Sequence, residues 1–428
     1  MSREMKHSGI EWIGEIPKEW DLVRAKSLFA QRNSKGNESA VLLSATQKQG
    51  MMPQSLLEGV VQVNNNTDLQ TFKTVHVNDY VISLRSFQGG FEKSNYEGVC
   101  SPAYQVFYNI APIDHNYYWL LFKSYGFVDK INSLTVGIRE GKNIQYKDFA
   151  NMILAVPPLS EQQKIANYLD KVCGEVDEMI ALQEQMIEEL KAYKQSVITE
   201  AVTKGLNPDV PMHDSGIDWI GEIPEHWEVC RIRNVATLFG RIGFRGYTSD
   251  DLNKDGEGAI TLSPSNMMPM CMDYSKVTYL SWKKYEESPE IMIQNNDLLM
   301  VKTGSSYGKV SYVDKLPREA TINPQILRIV PSINSKYLGY YMQTDLFTHQ
   351  VEGGVVGGTI PTISQEKIKN FYVILPNDNE QQIIASYLDT KCAEIDALIA
   401  IKQEKIEELK DYKKSVIYEY VTGKKEVV

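Results

Sequence analysis

Cysteine is scarce in this chain. Its five cysteines, Cys100, Cys173, Cys230, Cys271 and Cys392, form no C-x-x-C pair and no even set. A disulfide framework is therefore not expected, and reduced, buried thiols are. His7, His76, His115, His213, His226 and His349 have no metal-ligand spacing and share no helix face. No run of the sequence approaches the ~18 consecutive apolar residues of a membrane span, and residues 1–7 lack the apolar core of a secretory leader. A cytoplasmic protein without membrane contact is expected. Positive charge is in the minority: 45 Lys and Arg against 55 Asp and Glu give a net −10. That excludes a uniformly basic nucleic-acid coat but leaves room for a local basic groove.

Catalytic signatures are missing too. There is no G-x-S-x-G elbow, and no Asp…Glu-x-Lys cluster recurs along the chain. Gly304-Ser-Ser-Tyr-Gly-Lys309 is one residue short of a phosphate loop, and Val310 stands where a Ser or Thr would hold magnesium. Ser101-Pro-Ala-Tyr104 and Asn323-Pro-Gln-Ile326 lack the second proline of the Asn-Pro-Pro-aromatic motif of amino-methyltransferases, and no glycine-rich strand precedes either. Both read as turns.

What the chain does have is internal repetition, which outranks other signals when fold is read from sequence. Gly9-Ile-Glu-Trp-Ile-Gly-Glu-Ile-Pro-Lys-Glu-Trp20 recurs as Gly216-Ile-Asp-Trp-Ile-Gly-Glu-Ile-Pro-Glu-His-Trp227, an offset of 207. Residues 161–203 recur as 380–422, an offset of 219, with 26 of 43 positions identical. Between these matches the copies diverge. The chain thus divides into a variable domain at 1–158, a constant segment at 159–205, a second variable domain at 206–376 and a constant segment at 377–428.

The constant segments read as helices. Val172, Val176, Met179, Gln183, Met186, Leu190, Tyr193 and Val197 alternate by four and three, the spacing of a coiled-coil seam. Ile395, Leu398, Leu409, Tyr412 and Val416 keep that frame in the second copy, where Lys402 and Lys405 interrupt it. Ser160 and Asn379 are the expected N-caps, each followed by a Glu suited to the positive helix end. About 42 residues at 1.5 Å each make a rod on the order of 60 Å long. Such a stripe needs a partner. The other copy supplies it, and antiparallel pairing would give the chain an internal pseudo-two-fold. The helical segments carry −7 of the net charge, the second variable domain −4 and the first +1.

The variable domains read as mixed α/β with short strands. Residues 75–84 and 291–301 are strand-turn-strand candidates, with Asn-Asp as the turn. Each leads into a loop of small residues, Arg85-Ser-Phe-Gln-Gly-Gly90 and Lys302-Thr-Gly-Ser-Ser-Tyr-Gly-Lys309. The aromatic runs Tyr117–Phe122 and Tyr337–Met342 are expected in the core. Duplicated halves share Trp, Pro and seam residues rather than catalytic types, so binding is the better expectation. Arg85 and Gln88, and Arg241 and Arg245 of Gly240-Arg-Ile-Gly-Phe-Arg-Gly246, suit bidentate contacts to bases. Lys48, Lys302 and Lys309 suit phosphates, with Ser86, Thr303, Ser305 and Ser306 in the same loops.

Three features together resemble the specificity subunits of type I restriction–modification systems, over essentially the whole chain. They are the duplicated Trp-Ile-Gly-Glu-Ile-Pro-x-x-Trp motif, the Val156-Pro-Pro-Leu-Ser-Glu-Gln-Gln163 start of the first helix (looser as Leu375–Gln382), and the Glu-Glu-Leu-Lys-x-Tyr-Lys-x-Ser-Val-Ile ending at 188–198 and 407–417. The resemblance implies two target-recognition domains joined by an antiparallel coiled coil, each reading one half of a split double-stranded DNA site while the helices set the gap. It implies a non-catalytic chain whose partners are two modification subunits, which use S-adenosylmethionine to methylate adenine, and restriction subunits, which use ATP and Mg. Trp12, Trp20, Trp219 and Trp227 are expected to pack on the protein's own helices. A self-contained DNA adenine methyltransferase and a structural coiled-coil scaffold are the competing classes.

Overall fold

A computed structural model of the chain describes residues 3–36, 40–47, 49–57, 69–83, 90–134, 144–241, 243, 246–253, 256–355 and 360–427. Two long helices dominate it, Leu159–Lys204 and Asp378–Val421. The chain forms two compact units that each take half of each helix: Met1–Glu184 with Gln403–Val428, and Gln185–Lys402. Among the described residues no helix is long and apolar enough to cross a membrane.

In the first unit a four-stranded antiparallel sheet runs in the order Phe29–Arg32, Gln105–Asn109, Tyr80–Ile82, Phe91–Lys93. Helices His115–Lys123 and Tyr125–Ser133 follow, the first capped by the Asp114 carboxylate accepting from Tyr117 N–H. The core is aromatic. Phe29 meets Tyr80, Phe107 and Tyr118 edge-on at 5.3–5.7 Å, the geometry that ring quadrupoles favour. Tyr117, Tyr118, Leu121 and Phe122 are all buried there.

The second unit repeats that sheet as Ala236–Gly240, Ile326–Pro331, Leu298–Val301, Val310–Tyr312. It adds a second sheet, Leu252–Asn253, Thr278–Leu280, Ala259–Leu262, Ala320–Ile322, whose last pair is parallel. That sheet buries a separate aliphatic core around Ile260, Leu262, Leu299, Val301 and Ile322. Tyr337, Leu338, Tyr340 and Tyr341 are buried as their first-unit counterparts are.

The Asn-Asp turns stand: Asn78 and Asn296 take positive φ of 69° and 75°, which Asn tolerates. Asp79 and Asp297 accept the backbone N–H of His76 and Gln294 at 2.9 and 2.7 Å. Their arms do not form hairpins, however. Lys73–Val75 pairs with Gly98–Cys100, while Tyr80–Ile82 belongs to the four-stranded sheet. In the second copy the first arm gives one bridge, Met292 to Thr321. Each Asp is buried and ion-paired at 2.6 Å, to Arg32 or Arg328, which fixes a corner between sheets. Ser101–Tyr104 and Asn323–Ile326 are turns, closed by Tyr104 N–H to Ser101 O and Ile326 N–H to Asn323 O.

The repeated motifs clamp each domain onto the long helices. Asp21–Arg24 pairs with Ile153–Val156, and Glu228–Arg231 with Tyr372–Leu375, so each Trp motif lies beside the start of a long helix. Trp20 and Trp227 are buried, and their indole N–H groups donate to Glu161 and Glu380 in the first turn, at 3.0 and 3.1 Å. Gln162 takes Asp114 N–H and gives to Pro157 O; Gln381 takes Asn334 N–H and gives to Pro376 O. A tyrosine of each domain reaches the far end of the other helix: Tyr117 donates to Val421 O at 2.9 Å, and the Tyr337 hydroxyl lies between Ile374 O, at 2.8 Å, and Val202 O, at 3.3 Å. Trp12 packs edge-on against Phe127, and Trp219 lies 5.7 Å from His349. Each buried tryptophan removes roughly 200 Å² from water, a gross gain of about 5 kcal/mol before chain entropy is charged.

The helix starts differ from expectation. The first helix begins at Leu159, with Pro158 O accepting from Glu161 and Gln162 N–H, so Ser160 lies inside it. The second is capped by Asn377, whose Oδ1 accepts from Glu380 N–H at 3.0 Å, and not by Asn379. The seam differs as well. Val176, Val197, Ile395 and Val416 are buried and Leu190 and Leu409 half-buried, but Met179, Tyr193, Leu398 and Tyr412 are 47–56% exposed. The inward column falls one residue later than Val172, Met179, Met186 and Tyr193, at Cys173, Ile180, Ile187 and Lys194. With Val176, Gln183, Leu190 and Val197 it still alternates by four and three, and it repeats at 392–416. Lys194 and Lys413 extend from the seam to Asp396 and Asp177, 2.7 and 2.6 Å away. Together with Tyr168 against Tyr420, the Asp177–Lys413 pair sets antiparallel packing of the helices in the first unit. Pairs this exposed are worth about 0.2–1 kcal/mol, so they specify register more than stability.

Candidate nucleic-acid interface

The strands that flank the small-residue segments occupy equivalent places in the two sheets. In the first unit Ser83 N–H to Gly90 O, 2.8 Å, closes the base of the loop between Tyr80–Ile82 and Phe91–Lys93. Arg85, Ser86 and Gln88 on that loop, and Lys48, lie outside the described residues. In the second unit Lys302–Lys309 connects Leu298–Val301 to Val310–Tyr312. Gly240 pairs with Leu327 and Val301 with Ile326, so Arg241 and Lys302 leave from neighbouring strand ends.

Backbone hydrogen bonds tie the start of the second loop to neighbouring segments. Lys302 N–H donates to Gln325 O (2.8 Å), Ile363 N–H to Lys302 O (2.9 Å) and Gly304 N–H to Pro361 O (3.0 Å). Thr303 bridges to Thr362. Gly304 and Gly308 have φ of 106° and 85°, which suit glycine. Ser305 and Ser306 are exposed and Lys309 half-buried. One side of the loop borders a cavity of about 480 Å³ that also involves Gln343, Thr348 and Glu352.

Lys302 is the most telling cation. Its Nζ lies 3.2 Å from where a Cβ on Gly240 would stand, so the glycine makes room for the ammonium. Burial lowers its pKa, and among the described residues no carboxylate pairs with it. A cation partly stripped of water and lacking an anion favours an anionic ligand, because the ligand restores the lost solvation.

Arg241 corrects an expectation. Rather than offering its guanidinium to bases, it is 7% exposed and donates to Ile322 O and Thr321 Oγ1, both at 3.1 Å. Its charged centre lies 5.1 Å from the Tyr247 ring, and burial is the main cause lowering its pKa. It straps the end of the first sheet to the second. Arg245 lies outside the described residues. The structure therefore gathers Lys302, Thr303, Ser305, Ser306 and Lys309 on one loop and removes Arg241 from the open surface.

Sequence reading missed the frame around that loop. Gln365 donates to Leu238 O at 2.8 Å, and Asn323 to Gln325 Oε1 at 3.2 Å. Neither recurs in the other copy, so repetition gives no sign of them. Among the described residues, no group of three or more His, Cys, Asp and Glu could hold a metal.

Comparison with known proteins bears on this arrangement. The profile of the type I restriction modification DNA specificity domain matches twice, at residues 17–192 and 224–411. The type I restriction enzyme MjaVIII specificity subunit of Methanocaldococcus jannaschii is 25% identical over 66% of this chain and 64% of its own length. The EcoKI specificity subunit of Escherichia coli is also 25% identical, over 64% of this chain and 58% of its own. The matched stretch thus spans less than two thirds of these relatives. Among solved structures, a chain from work on complex assembly and conformational transition of the type I R-M system superposes with a TM-score of 0.72 at 16% identity, covering 95% of this chain and 98% of that one. The HsdS subunit of Thermoanaerobacter tengcongensis gives 0.52, also at 16% identity and with the same coverage. At that identity both likenesses speak for the fold.

Proposed function

The chain belongs to the family of type I restriction–modification DNA specificity domains, and from that premise we propose that its two variable domains each read one half of an asymmetric, bipartite double-stranded DNA site. The paired helices set the unspecified gap between the halves. The observation that carries this reading is the contrast between constant frame and variable loop. Trp20 and Trp227, Gln162 and Gln381, and Tyr117 and Tyr337 hold the two domains by the same contacts. The segments that follow Tyr80–Ile82 and Leu298–Val301, Arg85–Gly90 and Lys302–Lys309, differ in sequence and length. Duplicated scaffold with divergent loops suits two readers of different sequence.

On this reading the chain directs chemistry and performs none. Two modification subunits methylate adenine with S-adenosylmethionine, and restriction subunits supply ATP- and Mg-dependent cleavage. Co-expression with the modification subunit, followed by methylome sequencing, is expected to show adenine methylation at one split, non-palindromic motif. Transfer of labelled methyl groups to DNA by the purified chain alone overturns the reading.

Lys302→Met tests the loop. It removes one phosphate contact without disturbing a described ion pair, so affinity for every DNA sequence is expected to fall about tenfold, with the slope of log K against log salt reduced by about one. Fluorescence anisotropy across a salt series measures both. A change confined to one base position would instead make Lys302 a base reader.

A further inference from the structure

The ends of the two long helices differ between the repeats. In the first unit Tyr420 lies against Tyr168, with ring centroids 4.6 Å apart and hydroxyls 3.3 Å apart. Beyond the helix the tail brings Lys425 Nζ to 2.8 Å from Glu419. The same positions in the second unit, at an offset of 219, are Ala201 for Tyr420, Tyr387 for Tyr168, Glu200 for Glu419 and Leu206 for Lys425. One ring and one ammonium are missing there, and a groove of about 750 Å³ lies between Tyr193, Glu200, Ala201, Leu206, Met212 and Tyr387. Tyr193 is 56% exposed, Leu206 41% and Tyr387 36%. Glu200 is exposed and has no hydrogen bond or ion pair among the described residues, although Lys204 is one turn away.

We propose that this groove receives a segment of a protein partner that presents an aromatic ring next to a lysine or arginine. The ring lies against Tyr387, in the space that Tyr420 fills in the first unit, and the cation meets Glu200 as Lys425 meets Glu419. The first unit identifies the occupant: the same scaffold, given those two groups by its own chain, has them in those places. Charge agrees: Glu200 and Glu222 border the groove against the single Lys204, and a net negative lining favours a cation over a nucleic-acid phosphate. Because Tyr420 and Lys425 already occupy the first unit's counterpart, the surface is built for a single partner copy. The repeat alone carries this assignment, independently of DNA reading.

The test uses the full chain and a fluorescein-labelled peptide copying residues 418–428, which carries both Tyr420 and Lys425. Fluorescence anisotropy is expected to show saturable one-to-one binding to the wild-type chain. Glu200→Gln is expected to weaken it about tenfold by removing the charge-assisted contact. Ala201→Tyr combined with Leu206→Lys rebuilds the first unit's filling and is expected to abolish binding; Ala201 is buried, so the melting temperature is read as the control. Should that double variant fail to fold, Glu200→Gln and Tyr387→Ala decide. No saturable binding to the wild-type chain, or binding that none of these changes affects, overturns the proposal.

Discussion

Exchanging residues 206–376 for the matching segment of a relative is expected to change the bases recognised in one half of the target and leave the other half as it was. Affinity for the original site should fall roughly a thousandfold or more, toward non-specific binding, because each lost base contact costs about 1–3 kcal/mol and a half-site contains several. The second domain has one core of its own, around Ile260 and Ile322, and one around Leu298, Met300 and Tyr341. It shares the latter with the constant helices, through Val197, Val202, Ile384 and Leu388, and Lys336 and Tyr340 both reach Asp389, so the donor's helix-facing side must match. The donor must keep a tryptophan for Glu380, a backbone N–H for Gln381 and a tyrosine hydroxyl for Val202 O. A donor that loses one of these is expected to melt earlier without showing which bases it reads, so the melting temperature is the control. Methylome sequencing of the swapped chain with its modification subunit gives the answer. Altered bases in both halves would refute modular reading.

Why the frame was legible and the loops were not follows from the kind of signal each leaves. Trp20, Glu161 and Gln162 recur as Trp227, Glu380 and Gln381 because each contact is made twice. Repetition alone is enough to mark such residues. The inward column of the helices was harder to identify. Val172 and Cys173, Met179 and Ile180, and Met186 and Ile187 are adjacent apolar pairs, so hydrophobicity cannot choose between two columns one residue apart. Tyr193 then looks better than Lys194, yet Lys194 faces inward and extends to Asp396. A usable signal existed: Lys194 and Asp177 recur as Lys413 and Asp396. The place of Arg241 is hidden from the sequence for another reason. Whether an arginine in a glycine-rich loop meets a base or a carbonyl depends on what the fold places beside it. Ile322 O and Thr321 Oγ1 come from 80 residues further along the chain, beyond the reach of any local pattern.

The corrected column gives the second prediction its form. Deleting residues 180–186 and 399–405 together removes one heptad from each helix and leaves Val176 followed by Ile187, and Ile395 by Ile406, at the spacing of four that the seam requires. The Asp177–Lys413 and Lys194–Asp396 pairs lie outside the deletions, so each unit keeps its register. Seven residues at 1.5 Å shorten each rod by about 10 Å, which corresponds to at most about three base pairs at 3.4 Å each. DNA turns once in about 10.5 base pairs, so a shift of three rotates the two half-sites by roughly 100° relative to each other; helical phase therefore limits the change to between about one and three. The shortened chain is expected to direct methylation to the same two half-sites with a smaller gap. On the original target only one half can then be engaged, and affinity should fall a hundredfold or more as the second contact loses its effective concentration. Deleting five residues from each helix instead turns the inward column away from its partner, and that variant is expected to lose the cooperative melting of the helices along with binding. An unchanged gap in the heptad variant, read by methylome sequencing, would leave the helices a scaffold and take away their role as a ruler.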